Sequence, residues 1–329
     1  MKKAAIVGEK KAALVDASIP TIQNDQVLVK VHVAPMCSEY KGFLNGNGGE
    51  CLGHEAVGEV VEVAQPGPHQ VGDRVVLMPL DGCGKCPLCL AGDYIHCLDN
   101  PMTDCTMAQY IAKPAFLLKK IPDGVSYEKA SLACCGLGPT FGAMQAMDVG
   151  VFDTVLVTGL GPVGIGAIVN ARYRGAKVIA VESNAFRSKL ARELGAADVI
   201  DPRDPDVLAK IRALCDKDGP DYAIDCSGAV PAHRLCIDAV RRKGTVAFVG
   251  ESHAETPITI SNDMIRKGLR LMGSWHYNLN DFPKIMKVIS ESPLVEKMIT
   301  HTFPMSSIQE AFEISAEQNS AKILLKPWE

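Results

Sequence analysis

The sequence predicts a two-domain α/β protein, in which a mainly-β domain accompanies a doubly wound parallel sheet. Its 329 residues are enough for two domains that each bury a core of their own. Short alternating segments separated by turn residues occupy roughly the first 120 positions, which is the pattern of a mainly-β domain. From Thr154 onward, apolar strand-like segments alternate with helix-like ones, which is typical of a parallel sheet with crossover helices.

The mainly-β half is expected to begin with a strand. The opening segment MKKAAIVGEKKAALV has a basic start, but its apolar run ends at Glu9 and Lys10, too early for a secretory signal peptide. Further strands are predicted at 26–34 (QVLVKVHVA), 56–64 (AVGEVVEVA) and 71–79 (VGDRVVLMP). This half is therefore expected to be mostly β.

The second half is expected to form one parallel sheet of about six strands, with helices between the first five. The last fifty or so residues return to a mixed pattern, and we expect them to rejoin the first domain. The predicted strands lie at 154–159, 177–182, 197–201, 221–228, 244–250 and 269–275.

Composition and charge argue against two classes of partner. A formal net charge of −4 gives no attraction for nucleic acid or anionic lipid. The most apolar stretch, 155–169, is rich in glycine and follows Asp153, so it is not a membrane span. We expect a soluble, cytoplasmic protein with no nucleic-acid or membrane partner. In a reducing compartment its twelve cysteines are expected to be thiols, metal ligands or catalytic groups rather than disulfides.

Four cysteines lie close together in the stretch GCGKCPLCLAGDYIHC, residues 82–97. The spacing C-x2-C-x2-C-x7-C, with glycines and a proline between, lets the loop curl so that four sulfur atoms converge on one ion. An iron–sulfur cluster or a DNA-binding zinc ribbon would require a redox partner or a basic surface, and neither is visible. Four exposed unligated thiols would be prone to oxidation. The pattern predicts a structural zinc site made of Cys83, Cys86, Cys89 and Cys97.

A second group of possible metal ligands lies upstream of that stretch. Cys37 occurs in APMCSEYKGF, and His54 and Glu55 occur in CLGHEAVGEVVEV. The order of a GHE motif, a V-G-x-V strand, VGDRV and the four cysteines resembles the zinc-dependent medium-chain dehydrogenases over nearly the whole chain. The resemblance implies a GroES-like catalytic domain at 1–136 and 276–329, and a Rossmann cofactor domain at 137–275.

The resemblance also implies a catalytic zinc, held by Cys37, His54 and a third residue that precedes the cofactor domain. Both Cys134 and Cys135 are available there, and we choose Cys135 because an aromatic residue stands six positions after it, as in the family. Glu55 resembles the family's acidic neighbour of the metal. Three protein ligands leave one coordination position open for a substrate.

Two cysteines near this site are expected to have no metal role. Cys134 and Cys51 are predicted to pack as small apolar residues. Cys51 nevertheless forms a C-x2-H pair with His54 that could compete for the metal.

A cofactor site is predicted where VTGLGPVGIGA joins an apolar strand to a helix. Its G-x-G-x-x-G pattern, with Pro162 and Val163 inside it, would let the backbone approach a pyrophosphate at the helix N-terminus. Glu182 ends the second strand, where its carboxylate can accept hydrogen bonds from ribose hydroxyl groups and repel a 2′-phosphate, which favours NAD over NADP. The glycines of the pattern are Gly159, Gly161 and Gly164.

Four further residues are cofactor-binding candidates by resemblance. Arg187 matches a position that is often basic near the ribose, although it could equally be a solvated charge on a helix. Gly228 and the pair Val249 and Gly250 end two later strands, where the fold usually contacts the nicotinamide.

The first loop departs from the family pattern. Most relatives carry a hydroxyl residue two positions after the cysteine ligand, where it relays the proton of the alcohol, whereas this chain has Glu39. One hypothesis is that Glu39 accepts the substrate proton, directly or through water, with Tyr40 or Ser38 assisting. The other is that Glu39 orients a zinc ligand.

The predicted function is transfer of a hydride between NAD and a secondary alcohol, polyol or sugar-like hydroxyl, with two zinc ions per chain. Alternatives are a dehydrogenase of simple alcohols or aldehydes, in which a cysteine as third ligand is more usual, and a non-catalytic regulatory protein that binds zinc and nucleotide. Family analogy further suggests a homodimer or homotetramer.

Overall fold

The computed structural model describes residues 1–100 and 105–329. The chain divides into two compact units. One consists of Met1–Gly136 and Asn278–Glu329, and the other of Leu137–Tyr277. Within the described ranges, no helix combines the length and the apolar character that crossing a membrane requires.

Each predicted strand segment corresponds to a strand to within a few positions, except that the opening segment forms two strands. In chain order the strands are β1 (Lys2–Gly8), β2 (Lys11–Asp16), β3 (Gln26–Pro35), β4 (Ala56–Val63), β5 (Arg74–Leu77), β6 (Tyr110–Pro114), β7 (Leu118–Lys120), β8 (Thr154–Thr158), β9 (Lys177–Val181), β10 (Asp198–Ile200), β11 (Tyr222–Asp225), β12 (Thr245–Phe248), β13 (Arg270–Gly273), β14 (Ile299–Pro304) and β15 (Lys322–Lys326). Of these, β6, β7, β14 and β15 have no predicted counterpart.

The α-helices are short in the first unit and longer in the second. In chain order they are α1 (Tyr40–Asn45), α2 (Pro87–Ala91), α3 (Tyr127–Ser131), α4 (Gly138–Met147), α5 (Pro162–Tyr173), α6 (Ala185–Glu193), α7 (Val207–Ala213), α8 (Val230–Ala239), α9 (Phe282–Glu291) and α10 (Ile308–Ala316). The 3₁₀ turns lie at Tyr94–His96, Ala115–Leu117, Leu279–Asp281, Val295–Met298 and Met305–Ser307, and a π-helical segment at Ile260–Arg266.

The first unit is built around a mostly antiparallel sheet whose strands follow the order β14-β15-β3-β4-β5-β7, with β6 also paired to β3. Alternate residues of β3, such as Val29 and Val31, point into one apolar core. Ile323 and Leu325 of β15 enter the same core, because β15 lies between β14 and β3. The last strand of the chain is therefore an inner strand of the first unit.

The second unit is the doubly wound parallel sheet that the sequence predicts. Its strand order is β10-β9-β8-β11-β12-β13, and every neighbouring pair is parallel. The order reverses between β8 and β11, which is the switch point where folds of this class bind their ligand beyond the carboxyl ends of the strands. Its core includes buried residues of every inner strand, among them Leu156, Ile179, Ala223 and Val246.

One prediction about the cysteines is wrong. Cys51 forms a disulfide with Cys105, although it was expected to pack as a small apolar residue or to compete for the metal, and no disulfide was expected. The two segments run side by side, because Met107 N–H donates to the Leu52 carbonyl at 3.0 Å and their neighbours also pair. This alignment brings the Cα atoms of the two cysteines to 4.6 Å, within the range that a disulfide spans.

Candidate metal centres and active site

The four cysteines of residues 82–97 converge as a set of metal donors. The four Sγ atoms lie within 4.8 Å of one another. Backbone amides support the sulfur atoms, since Cys83 Sγ accepts a bond from Cys86 N–H at 3.3 Å and Cys97 Sγ accepts one from Cys83 N–H at 3.4 Å. Gly84 and Gly92 turn the loop with φ angles of 69° and 92°.

The environment of these cysteines suits a cation. Backbone N–H groups of Lys85 and Cys86 lower the pKa of the Cys83 thiol to about 6. Burial raises the pKa of Cys89 to about 12, so a thiolate there requires a compensating positive charge. Four sulfur donors at this spacing fit a closed tetrahedral zinc site, with no position for a substrate.

A second donor cluster, which we call the mixed cluster, consists of Cys37, His54, Glu55 and Cys135. One donor atom from each lies within 4.8 Å of the others. Cys37 follows β3, His54 and Glu55 precede β4, and Cys135 follows α3, so three distant segments meet here. His54 Nε2 lies 3.2 Å from Cys135 Sγ and 4.0 Å from Glu55 Oε1.

Of the two adjacent cysteines, the structure brings Cys135 into the mixed cluster. Cys134 is fully buried, and its thiol donates to the Leu77 carbonyl at 3.4 Å. Burial raises the pKa of Cys134 well above its usual range, which keeps this thiol neutral. The Cys135 thiol instead hydrogen bonds to Cys37 and thereby lowers the pKa of Cys37 well below its usual range.

Glu39 contacts two of these residues from outside the cluster. Its Oε1 lies 3.2 Å from His54 Nδ1, and its Oε2 accepts a hydrogen bond from Cys37 N–H at 2.7 Å. Although burial opposes a charge on His54, its bonds to Cys37 and Glu39 raise the pKa of the imidazole to about 11. Glu39 therefore holds Nδ1 while Nε2 faces the sulfur atoms, which is the arrangement expected when a carboxylate orients a histidine ligand.

The other two residues of the first loop are placed differently. Ser38 is exposed and lines a cavity of about 290 Å³, together with Glu39, Asn47, Cys51 and His54. Tyr40 instead packs against the apolar core of the first unit. The cavity therefore offers one hydroxyl side chain from this loop beside the mixed cluster.

Lys322 belongs to the site but was not found from the sequence. Lys322 and Glu55 are both fully buried, and Lys322 Nζ donates to Glu55 Oε1 at 2.5 Å. The other carboxylate oxygen accepts Cys135 N–H at 3.0 Å. Burial raises the pKa of Glu55 to about 7 even though Lys322 opposes it. The one signal in the sequence is a lysine at the start of the otherwise apolar segment KILL.

The donors of the mixed cluster fit a zinc ion. Two sulfur atoms, an imidazole nitrogen and a nearby carboxylate are the ligand types that zinc prefers. The hydrogen bond with Cys37, together with burial, raises the pKa of Cys135 well above its usual range, so two adjacent thiolates require a cation to coexist. Lys322 already balances Glu55, which leaves the two cysteines and His54 as the donors for an ion.

The glycine-rich segment forms the expected turn in the second unit. Gly159 follows β8 with a φ of 78°, and Gly161 precedes α5, whose first residue is Pro162. A Cβ atom on Gly164 would lie 1.9 Å from the Gly159 carbonyl oxygen, so only glycine lets this helix approach the turn. Nothing lies within 4 Å of a Cβ placed on Gly161, which leaves room beside the helix N-terminus for a pyrophosphate.

The remaining cofactor candidates lie at the carboxyl edge of the same sheet. Glu182 follows β9, and its carboxylate accepts hydrogen bonds from the N–H groups of Leu160, Ser183 and Asn184, all at 2.8 Å. Gly228 and Gly250 lie close together, since a Cβ atom placed on Gly250 would be 2.3 Å from the backbone nitrogen of Gly228.

Three more of the predicted residues lie near this edge. Val249 follows β12, and its N–H donates to the Asp225 carbonyl at 2.9 Å. Arg187 lies in the first turn of α6, where its N–H donates to Asn184 Oδ1 at 3.0 Å. Val163 stands beside Pro162 in the first turn of α5.

Comparison with known proteins agrees with this arrangement. Residues 23–123 match the family model of the alcohol dehydrogenase GroES-like domain, and residues 162–291 match that of zinc-binding dehydrogenases. The chain belongs to the zinc-dependent medium-chain dehydrogenase family of oxidoreductases.

Three relatives show how far the similarity extends. A sorbitol dehydrogenase of Halalkalibacterium halodurans is 32% identical, over 94% of this chain and 93% of its own length. An L-threonine 3-dehydrogenase of Caldanaerobacter subterraneus subsp. tengcongensis is 31% identical, over 96% and 95%. The crystal structure of alcohol dehydrogenase TADH from Thermus sp. ATN1 is 26% identical and covers 99% of both chains with a TM-score of 0.90.

Proposed function

We propose that this protein transfers a hydride between NAD and the hydroxyl-bearing carbon of a secondary alcohol, polyol or sugar-like molecule. The observation that carries the proposal is the mixed cluster, in which Cys37, His54 and Cys135 form a three-donor site beside a cavity. Three protein donors leave one position of a tetrahedral ion for a substrate oxygen. Two of the relatives are named for sorbitol and for the 3-hydroxyl of threonine, which supports a secondary hydroxyl group.

Zinc, when bound by these residues, polarises a hydroxyl or carbonyl oxygen and makes an alcohol easier to deprotonate. The protein supplies the positioning. Glu39 fixes the ring of His54 and the backbone of Cys37, so two ligands share one support. Lys322 compensates Glu55 at the buried edge of the cluster, which limits the negative charge there.

We propose that Ser38 assists the movement of the substrate proton. Both oxygens of Glu39 are already engaged with His54 and Cys37, and Tyr40 packs against the core. Ser38 is the exposed hydroxyl of this loop and lines the same cavity as His54. A hydroxyl group in that position can pass a proton to solvent.

The second unit supports NAD as the hydride acceptor. Gly159, Gly161 and Gly164 leave space for a pyrophosphate at the start of α5. Glu182 follows β9 and carries a carboxylate, and the next residue, Ser183, carries no positive charge. A 2′-phosphate would be repelled there, whereas ribose hydroxyl groups can donate to the carboxylate.

The proposal is tested by two measurements on protein purified without added metal. We expect about two zinc ions per chain by elemental analysis, and NADH absorbance when polyols and other secondary alcohols are screened with NAD. Primary alcohols form the comparison set, since faster turnover of these would favour the simple alcohol dehydrogenase. About one zinc per chain and no turnover of any alcohol would overturn the proposal in favour of a binding protein.

A further inference from the structure

The disulfide between Cys51 and Cys105 forms part of the wall of the cavity beside the mixed cluster. Cys51 is exposed and lines this cavity with Ser38, Glu39 and His54. The proposed hydride transfer makes no use of the disulfide. An accessible disulfide three positions from a metal donor therefore needs its own explanation.

The segment that the disulfide holds is rich in glycine. It runs from Gly46 to Cys51, after α1, and contains three glycines with positive φ angles, Gly46, Gly48 and Gly49. Its backbone bonds to the rest of the first unit include Ile6 N–H to the Gly49 carbonyl at 2.9 Å and Asn47 N–H to the Gly42 carbonyl at 2.8 Å. Lys3 Nζ also lies 3.2 Å from Glu50 Oε2. The covalent link to Cys105 is therefore one of several restraints on this glycine-rich segment.

The residues after Cys51 connect this restraint to the metal donors. Leu52 and Gly53 lie against the 106–107 segment, through Met107 N–H to Leu52 O at 3.0 Å and Thr106 N–H to Gly53 O at 3.4 Å. His54 comes next in the chain. Breaking the disulfide would therefore act first on the cavity wall. Its effect would reach His54 through the hydrogen bonds that Leu52 and Gly53 accept from Met107 and Thr106.

We propose that Cys51 and Cys105 form a reversible thiol–disulfide site that controls substrate binding. Disulfides in reducing compartments are usually catalytic or redox-sensing, and exposed ones are the most readily reduced. The reductant is a dithiol, either a small molecule or a dithiol protein. This inference rests on the proposed function, because the cavity is taken as the substrate site.

Cys51 is exposed and Cys105 is half-buried, so Cys51 is the residue more open to attack. A thiolate of the dithiol attacks Cys51 Sγ, the S–S bond breaks, and Cys105 leaves as a thiolate that takes up a proton. The second thiol of the donor then attacks the mixed disulfide and releases Cys51, which also takes up a proton. Two electrons and two protons pass to the protein, and the dithiol becomes a disulfide.

Reduction releases the 46–51 segment from its covalent tie. The released 46–51 segment must become ordered again when substrate binds, which costs binding free energy. We therefore expect the KM for the alcohol to rise about three- to tenfold, with kcat changed less than about twofold. The oxidised form is the one with the tighter substrate site.

The first test is independent of catalysis. The protein is equilibrated in dithiothreitol redox buffers, quenched with acid, freed of dithiothreitol, unfolded and alkylated, and the alkylated cysteines are counted by mass spectrometry. We expect a change from ten free cysteines to twelve. The Cys51→Ser/Cys105→Ser variant should show no change, and the Cys215→Ser variant, altered in the second unit, should still gain two thiols. A bond that no redox buffer reduces in the folded protein would overturn the proposal.

The second test measures KM and kcat in both forms, with zinc content determined in each so that loss of metal is not mistaken for regulation. The double serine variant should have the KM of the reduced form in every buffer. Equal KM values for the oxidised and reduced wild type would mean that the disulfide has only a structural role. If no alcohol is turned over at all, the proposed function fails, whereas hydrogen exchange of residues 46–53 still decides whether reduction releases the segment.

Discussion

The two metal-donor clusters of the first unit are built in opposite ways. The loop of residues 82–97, here called the four-cysteine lobe, takes its donors from fifteen consecutive positions. Neighbouring backbone amides donate hydrogen bonds to its sulfur atoms. The mixed cluster takes its donors from three distant segments, and charged side chains such as Glu39 and Lys322 support it. A local cluster can be closed by its own loop, whereas a dispersed one depends on the fold around it and keeps a face open to the cavity.

A matched pair of cysteine variants tests whether the two clusters have separate roles. Cys37→Ser should lower kcat/KM by about 10³-fold or more, because a metal supplies several kcal/mol of transition-state stabilisation. Cys89→Ser should leave most of that activity and instead lower the thermal midpoint. Zinc content should fall from about two to about one in both. Equal activity losses in the two variants would mean that the lobe and the mixed cluster have no separate roles.

Lys322→Met tests how strongly the mixed cluster depends on the fold. Because it leaves Glu55 buried without a counter-charge, we expect a loss of about 3–5 kcal/mol in the free energy of unfolding. Urea unfolding followed by circular dichroism measures this. Lys322→Met/Glu55→Gln should recover most of the loss.

Lys326→Met provides the matched control on the same strand. Lys326 pairs with the partly exposed Glu128, so its loss should lower stability by about 1 kcal/mol or less. A loss equal to that of Lys322→Met would contradict a special role for the buried pair.

Glu39→Gln separates the two roles considered for this residue. If Glu39 orients His54, zinc affinity should fall about 10- to 100-fold, as measured by competition with a chelator. Glu50→Gln, an exposed change in the same region, is the control. Unchanged zinc affinity with lost turnover and a flattened pH profile would instead assign proton acceptance to Glu39.

The smallest effect is expected in the second unit. Glu182→Gln removes the negative charge near the ribose, so the preference for NAD over NADP, as the ratio of kcat/KM values, should fall about tenfold. Glu193→Gln on α6 should leave the ratio unchanged. An unaltered ratio in Glu182→Gln would show that other residues select the cofactor.

Sequence reasoning was most successful where the signal is local. The strand pattern of the parallel sheet follows from short apolar segments, and the four-cysteine lobe follows from cysteine spacing. The disulfide was missed because Cys51 and Cys105 are 54 positions apart and share no motif. Lys322 was missed for the same reason, since 267 positions separate it from Glu55. Glu39 was found, but its contact with His54 depends on how two loops fold together.

The position of β15 also affects the order in which the parts of the protein can fold. Domains fold as units as the chain leaves the ribosome, and residues 137–277 are complete before β15 has been synthesised. The second unit can therefore fold while the first still lacks an inner strand and the ammonium group that neutralises Glu55. The mixed cluster acquires its full electrostatic environment only after Lys322 has been synthesised, so a chain interrupted before that residue would have an intact lobe and an incomplete mixed cluster.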